Sequence, residues 1–245
     1  MKNRIGWSVL KQVVSIIVLA WAEGSLSGCA SLLPKPVAAP TLYALDAIHA
    51  PATTLAVRAP LNSTLATLVV NTPRANAGFD SQHIMYVREP YKLEYFAHNE
   101  WVDTPARMLT PMIVSIIANG GIFKAVVPAS IAAAGELTLD TEIVRLQQDF
   151  SAKPSRVLFT LRAYLLDSQT RKTIASRELE AIVTATSDDP VGGVIAANRA
   201  VQTALQQIAD FCAEAEKQWN ATRPVGMSHH LPALSDTQIR GRSIF

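Results

Sequence analysis

The chain has 245 residues, of which 49% are hydrophobic and 17% are charged, with 22 Lys and Arg against 20 Asp and Glu. An apolar fraction of this size can build a sizeable core, which excludes intrinsic disorder for most of the chain. The nearly balanced charge gives no basic patch for nucleic acid, and two cysteines cannot form a disulfide framework or a four-cysteine zinc site.

The first 28 residues carry the pattern of an export signal. A basic start with two lysines and an arginine precedes an apolar run at 13–22, and this run is shorter than the roughly 20 residues that a membrane-spanning helix needs. The following Leu26-Ser27-Gly28-Cys29 resembles the lipobox of bacterial lipoproteins, in which cleavage precedes an acylated cysteine. We predict a lipoprotein signal peptide at 1–28 and a lipid on Cys29. The alternatives are the chance occurrence of a cysteine after small residues and cleavage nearby by a non-lipoprotein peptidase.

The residue after the cysteine bears on localisation. It is Ala30 and not Asp, which by resemblance to lipoprotein sorting in Gram-negative bacteria favours the outer membrane, with the protein on its periplasmic face.

Removal of 1–28 leaves 19 basic and 19 acidic residues. We therefore expect the mature protein to select its partners by something other than bulk charge.

Two segments flank the predicted domain. Residues 29–40 contain Pro34, Pro36 and Pro40, which disfavour helix and bias the segment toward extended geometry, so it is predicted to be a tether between lipid and domain. Residues 219–245 are polar and lack a sustained period, which predicts a loosely ordered tail. The folded domain is expected at 41–218.

The first half of the domain contains strand candidates and one helix. Short runs rich in β-branched or aromatic residues predict strands near 42–46, 66–71, 83–88 and 92–97. Thr104 and Pro105 mark a helix start, because Thr can cap the free amides and Pro is tolerated at the first helical position. Apolar residues from Met108 to Ile117 share one helical face, and Asn119-Gly120-Gly121 ends it. A short strand is expected at 122–127.

The second half predicts a three-stranded meander followed by a long helix. Alternating apolar residues indicate strands over 136–186, joined by short polar turns, and a change of phase after Ile143 indicates a bulge. Asp188-Asp189-Pro190 then opens a helix extending to about 217, with Cys212 on its apolar stripe as a small buried hydrophobe. The pattern predicts a single α+β domain with helices on one face of a mainly antiparallel sheet.

The sequence offers little that indicates catalysis or cofactor binding. The glycine pairs Gly120-Gly121 and Gly192-Gly193 lack the spacing of a phosphate loop, and we interpret them as a helix end and an early helical turn. The five histidines do not include a zinc-type His-x3-His pair, and the carboxylates form no recognisable acid/base motif. We expect no cofactor, no metal site and no enzymatic activity.

The most distinctive stretch is 84–105, which holds three tyrosines, a phenylalanine and a tryptophan. A hairpin whose rings pack on the next helix would explain it, and so would a docking surface for a ligand or partner. Tyr86, Tyr95 and Trp101 are the candidate docking residues. Both explanations can hold for different rings.

Four features of the sequence together resemble one family. They are the lipobox at Cys29, the following Tyr43-Ala44-Leu45, the hairpin ending at Trp101 before Pro105, and the order of three strands and a helix. The family is the auxiliary lipoprotein component of ABC-type transport systems, which accompanies mammalian-cell-entry (MCE) domain proteins and includes the paraquat-inducible-type lipoproteins. The resemblance implies a non-enzymatic subunit at the outer membrane. Its partners would be an MCE protein and, through it, an inner-membrane permease and an ATPase, which together move phospholipid or another hydrophobic molecule.

Two other functions fit the sequence less directly. A lipoprotein could itself carry a lipid or amphiphile in a cavity between sheet and helices, or a periplasmic hydrolase could assemble an unrecognised site from distant residues. A homo-oligomer is compatible with each of these functions.

Overall fold

A computed structural model describes residues 6, 11, 12, 15, 39–46 and 65–222. The chain separates into two compact units, 1–39 and 40–245; in the first, the described residues 6, 11, 12 and 15 are helical. The predicted signal peptide cleavage site, Cys29, nearly all of the predicted tether and the predicted tail beyond 222 lie outside the described residues.

The second unit contains strands from both halves of the sequence and two helices. In chain order they are β1 (Thr41–Tyr43), β2 (Thr67–Val70), β3 (Arg74–Ala75), β4 (His83–Val87), β5 (Leu93–Trp101), α1 (Pro105–Asn119), β6 (Ala125–Pro128), a short 3-10 helix (Ala129–Ile131), β7 (Leu137–Asp149), β8 (Arg156–Asp167), β9 (Thr173–Thr184) and α2 (Pro190–Thr222). The α+β class is confirmed.

One mixed sheet contains all nine of these strands, and β7 organises it. Along one side of β7, strands β2, β3 and β4 pair with it in turn, each in parallel. The other side pairs antiparallel with β8, which pairs antiparallel with β9. Further parallel pairs join β1 to β5 and β2 to β6. The expectation of a mainly antiparallel sheet was therefore wrong, because distant short strands add to β7 in parallel.

The β7–β9 meander follows the predicted pattern. Its register shifts between Ile143 and Arg145, which confirms the bulge indicated by the change of phase. Leu139, Ile143 and Leu146 consequently all face the buried side of the sheet, where α1 and α2 contribute the rest of the core. On the other face, Arg162 pairs with Glu142 and Glu178 at 3.1 and 2.8 Å, forming a solvated row of charges.

Helix α1 begins at Pro105, as predicted, but its cap differs from the expectation. Thr104 stands at the N-cap position, and its side chain makes no capping hydrogen bond. Instead the Thr104 backbone N–H donates to Oδ1 of Asp103 at 2.7 Å. At the other end Gly121 has a φ of +64°, the left-handed conformation that glycine adopts readily after a helix.

Helix α2 begins after Asp189 and continues to Thr222, beyond the predicted end near 217. The Asp189 carboxylate accepts a hydrogen bond from the Gly192 backbone N–H at 2.8 Å, which is the usual role of an aspartate N-cap. Cys212 is fully buried on this helix, and burial raises the pKa of its thiol to about 12. The prediction that Cys212 is a buried hydrophobe is confirmed.

The last turn of α2 is held to the sheet by Asp167, the last residue of β8. Its carboxylate accepts hydrogen bonds from the Thr170 backbone N–H at 2.7 Å, the Thr170 hydroxyl at 2.8 Å and the Trp219 indole N–H at 3.1 Å. The hydrogen bond from the Thr170 backbone N–H holds the pKa of Asp167 below its usual value, and the other two donors lower the pKa further. Partial burial acts in the opposite direction and does not cancel this effect. Ionised Asp167 therefore stabilises the native state.

Asp167→Asn is expected to lower the thermal midpoint at pH 7 and to reduce its pH dependence. Because the native pKa is lowered, the stabilisation is complete above the ordinary carboxyl pKa of about 4. It is lost as the pH falls from there through the native value. Thermal melts of both proteins between pH 7 and pH 2.5 should converge toward the acid end. A constant difference across that range would contradict a role for the ionised carboxylate.

Candidate docking site on the aromatic hairpin

The β4–β5 hairpin carries the aromatic stretch, and its register determines which rings are exposed. Met85 lies opposite Tyr95 and Tyr86 lies opposite Glu94, whereas His83 lies opposite Glu100. The two-residue step from His83 to Met85 on β4 therefore corresponds to a five-residue step from Tyr95 to Glu100 on β5. This irregularity changes which face successive β5 residues occupy. As a result the start and the end of β5 present their large side chains to opposite sides of the sheet.

Trp101 lies on the buried side. Only 2% of it is exposed, and its backbone N–H donates to the Gln82 carbonyl at 2.7 Å. It lines a small cavity together with Ile84 and Gly193 and belongs to the main hydrophobic core. Its side chain is therefore a packing element, and a docking surface on this hairpin has to be formed by other residues.

Tyr86 belongs to a cluster of three half-buried rings. Its ring centroid lies 4.5 Å from that of Phe96 and 5.7 Å from that of Phe150, and the Arg88 guanidinium lies 5.3 Å from the Tyr86 ring centroid. Phe150 is brought here by the parallel pairing of β4 with β7, and its N–H donates to the Val87 carbonyl at 2.8 Å. Sequence reasoning missed Phe150, because it lies more than 50 residues further along the chain.

The charged side chains of the hairpin pair with one another. The Arg88 guanidinium donates to both carboxylate oxygens of Glu94, at 2.9 and 2.7 Å. This bidentate bond holds the pKa of Glu94 below its usual range. Lys92 lies 3.7 Å from Glu94 and 3.9 Å from Glu89. These two cations and two anions cancel one another around the turn of the hairpin.

Tyr95 is the sequence-predicted ring that reaches solvent. It is 52% exposed and stacks on His83, with 4.2 Å between the ring centroids and 14° between their planes. Leu93, two residues earlier on the same strand face, is 40% exposed, and Tyr91 in the turn before it is fully exposed. We call Tyr91, Leu93 and Tyr95 the apolar row. Leu93 and Tyr91 were not among the predicted docking residues.

The turn that carries Tyr91 is strained. The Lys92 backbone N–H donates to the Glu89 carbonyl at 3.3 Å, which makes Pro90 and Tyr91 the two central residues of a four-residue turn. Tyr91 has a φ of +67°, a conformation that favours Gly or Asn at this position. A bulky residue there is an outlier, and such outliers concentrate at functional sites.

Beside the apolar row, part of the β5 edge is unpaired. Strand β1 pairs with β5 only at 99–101, where Thr41 lies opposite Asn99. Within 39–46 and 65–222, no strand pairs with the same side of β5 at 93–98. We call residues 93–98 the open edge. Unpaired backbone N–H and C=O groups on such an edge are available to another extended chain.

The comparison with protein families decides the class of this chain. A model of the ABC-type transport auxiliary lipoprotein component matches residues 43–209, which include the hairpin and most of both helices. The chain belongs to this family. As an ABC-type transport auxiliary lipoprotein component, it is a membrane-anchored protein of the cell envelope that associates with an ABC transport system.

Solved structures support the fold of this auxiliary component. The chain is similar to protein XCC0632 from Xanthomonas campestris, with a TM-score of 0.62 and 21% sequence identity over 74% of this chain and 99% of that one. A second crystal structure, of an uncharacterized protein, gives a TM-score of 0.55 and 12% identity over 71% and 99% of the two chains. At these identities the likeness shows the fold. The comparison with curated proteins finds no match.

Three properties of the described part of this auxiliary component bear on its surroundings. Among residues 39–46 and 65–222, no three His, Cys, Asp or Glu side chains are grouped so as to hold a metal ion. No helix in the described ranges is long and apolar enough to cross a membrane. The cavity beside Trp101 has room for about one water molecule.

Proposed function

We propose that this protein is the outer-membrane-anchored, periplasmic docking subunit of an MCE-type ABC transport system that moves phospholipid or another hydrophobic substrate between membranes. The match of residues 43–209 to the transport auxiliary family carries the proposal. The lipobox ending at Cys29 and the Ala30 that follows support a lipid anchor in the outer membrane. An N-acyl chain and a thioether-linked diacylglycerol together exceed the two signals that stable anchoring requires.

Docking, rather than catalysis or energy conversion, is the part we assign to this subunit. Its partners are an MCE-domain protein and, through it, the permease and the ATPase. ATP hydrolysis belongs to a partner, in keeping with the absence of a phosphate-loop motif from this sequence. The aromatic hairpin supports a contact role, because tyrosines that combine apolar area with a polar hydroxyl are enriched at protein interfaces.

The alternative of a lipid carrier has less structural support. A carrier needs a cavity that holds an acyl chain, and ligand pockets have volumes of about 300 Å³ or more. The space between sheet and helices is instead filled by large buried side chains such as Phe159, Phe211 and Ile208. The cavity beside Trp101 accommodates about one water molecule. We therefore favour docking over carriage.

Co-purification from membranes tests the proposed function. The full-length protein with a C-terminal affinity tag would be expressed with the complete transport operon and extracted in a mild detergent. We expect the MCE-domain protein to elute with it in a fixed ratio, accompanied by permease and ATPase. Recovery of the protein with bound phospholipid and without any transport component would instead favour the carrier.

Cys29→Ala is expected to abolish acylation and to leave an unprocessed precursor, because the thiol is the acceptor of the first lipid. Labelling with a radioactive fatty acid and a gel shift of the precursor would measure both effects. Cys212→Ala is the matched control, since Cys212 is fully buried in the core, and it should be labelled like the wild type. Normal labelling of the Cys29 variant would contradict the lipoprotein assignment.

A further inference from the structure

We propose that the open edge of β5 receives an extended segment of the MCE-domain partner, which adds to the sheet as a strand and places apolar side chains against the apolar row. This inference rests on the proposed function and identifies the surface that performs the docking. In such strand addition, backbone hydrogen bonds supply affinity and alternate side chains supply specificity.

The first observation is that the open edge continues an edge already used for pairing. Strand β1 lies parallel to β5 and stops where Thr41 faces Asn99, and the Val102 N–H donates to the Tyr43 carbonyl at 2.7 Å. The two described residues before β1, Ala39 and Pro40, are exposed and make no strand pair. Pro40 has no N–H to donate. Within the described ranges the backbone of 93–98 is therefore unpaired on this side, and a strand from another chain can pair with it there.

The second observation is that, on the face that carries the apolar row, the open edge lacks the charged side chains found on the other long edge. Strand β9 is an edge strand whose solvent-facing Glu178 and Glu180 pair with arginines at 2.8 Å, and the Glu180 carbonyl accepts a hydrogen bond from Gln207 of α2. Charged side chains and covering groups are common defences against unwanted pairing. Along β5, the exposed Leu93 and Tyr95 are uncharged and apolar. This edge is therefore suited to pairing with a strand of another chain.

The third observation is the conformation of Tyr91. Its side chain is fully exposed, so the fold gains no packing from it, and its φ of +67° is unfavourable for a bulky residue. Pro90 fixes the preceding backbone angle and limits the freedom of the turn. The ring is thus presented outward in a restricted conformation, which reduces the ordering that a partner has to impose.

The charges favour a protein segment over a membrane surface as the occupant. A membrane site on an anionic leaflet needs uncompensated Lys or Arg. On this hairpin Arg88 and Lys92 are both paired, with Glu94 as a shared partner. The row and edge instead present apolar side chains at alternate positions beside unpaired backbone. The matching occupant is an extended segment with uncharged, apolar residues at every second position.

An array of overlapping peptides covering the periplasmic part of the MCE-domain protein is the direct test, probed with the full-length, detergent-purified lipoprotein. We expect N-methylation of a binding peptide to lower its affinity at every second position and to leave the affinity unchanged at the positions between. The reason is that every second N–H of an added strand faces β5. Leu93→Ser/Tyr95→Ser should weaken binding by roughly tenfold or more. Ile182→Ser, which alters an exposed apolar residue on β9, should leave binding unchanged.

Tyr91→Gly separates docking from folding. Glycine tolerates positive φ, so this variant should keep or raise the thermal midpoint while it loses peptide affinity. Equal sensitivity to N-methylation at every position, or wild-type binding by the row variants, would overturn the proposal. So would loss of peptide binding on reconstitution into phosphatidylethanolamine and phosphatidylglycerol vesicles, since the membrane would then occupy the row. Failure of the wild type to co-purify with the transport proteins would instead refute the proposed function.

Discussion

Trp101→Ala is expected to lower the free energy of unfolding by about 3–5 kcal/mol, the usual cost of truncating a large buried aromatic residue. The ring is 2% exposed and lies where β5 pairs with β1, opposite Tyr43. Its removal would open a cavity beside Ile84 and Gly193. Urea denaturation followed by tryptophan fluorescence and by circular dichroism would measure the loss.

Tyr95→Ala is the matched control for that substitution. Tyr95 lies on the same strand but is 52% exposed, so its removal should change stability by about 0.5 kcal/mol or less and should weaken docking. The pair separates the two explanations of the aromatic stretch, since one ring serves packing and the other faces solvent. Wild-type stability in the Trp101 variant would contradict the buried position of the ring.

Gly193→Ala is expected to destabilise the protein by about 1–3 kcal/mol through overpacking. A Cβ on Gly193 would overlap the side-chain amide of Gln148. Gln148 cannot move without loss, because it is 2% exposed and its Nε2 donates to the Ser155 hydroxyl at 2.9 Å. A buried polar group that loses its partner carries a desolvation penalty.

Shortening the neighbour should relieve the overlap. The double variant Gly193→Ala/Gln148→Ala is expected to be more stable than the sum of the two single effects predicts, which a double-mutant cycle in urea would detect. If the two losses of stability simply add, the cost of Gly193→Ala arises from the backbone and not from the contact with Gln148. The Gly192-Gly193 pair, interpreted from the sequence as an early helical turn, lies in the first turn of α2. The contact with Gln148 explains the glycine at 193, whereas a Cβ on Gly192 would overlap Ser187.

Local patterns in the sequence were sufficient to predict α1, the meander and most of α2. The Met108 to Ile117 face follows the period of a helix, and alternation over 136–186 follows that of strands, including the bulge after Ile143. The end of α2 was predicted too early, because 217–222 is polar apart from Trp219 and Ala221. Trp219 nevertheless packs into the core and bonds to Asp167, a contact across 52 residues.

Parallel pairing had no comparable local signal. The alignment of β2 between β6 and β7, and of β1 with β5, joins segments separated by tens of residues. Strand β3 has two residues, too few for any period. The sequence also contains no signal for the irregular register of the hairpin, in which five residues of β5 span the same distance as two residues of β4. For that reason aromatic content alone could not show that Trp101 is buried and Tyr95 exposed.

For the proposed lipid anchor and docking site, the position of β1 would limit how far a docked partner can lie from the lipid. The chain enters the sheet at Thr41, opposite Asn99, immediately beside the open edge. Eleven residues, 30–40, separate Cys29 from this strand, and a fully extended chain of that length spans at most about 40 Å. If Cys29 is acylated and a partner binds the open edge, as proposed, the two attachment points would be separated by no more than about this length along the chain. The transport conduit would then be held within one tether length of the bilayer surface.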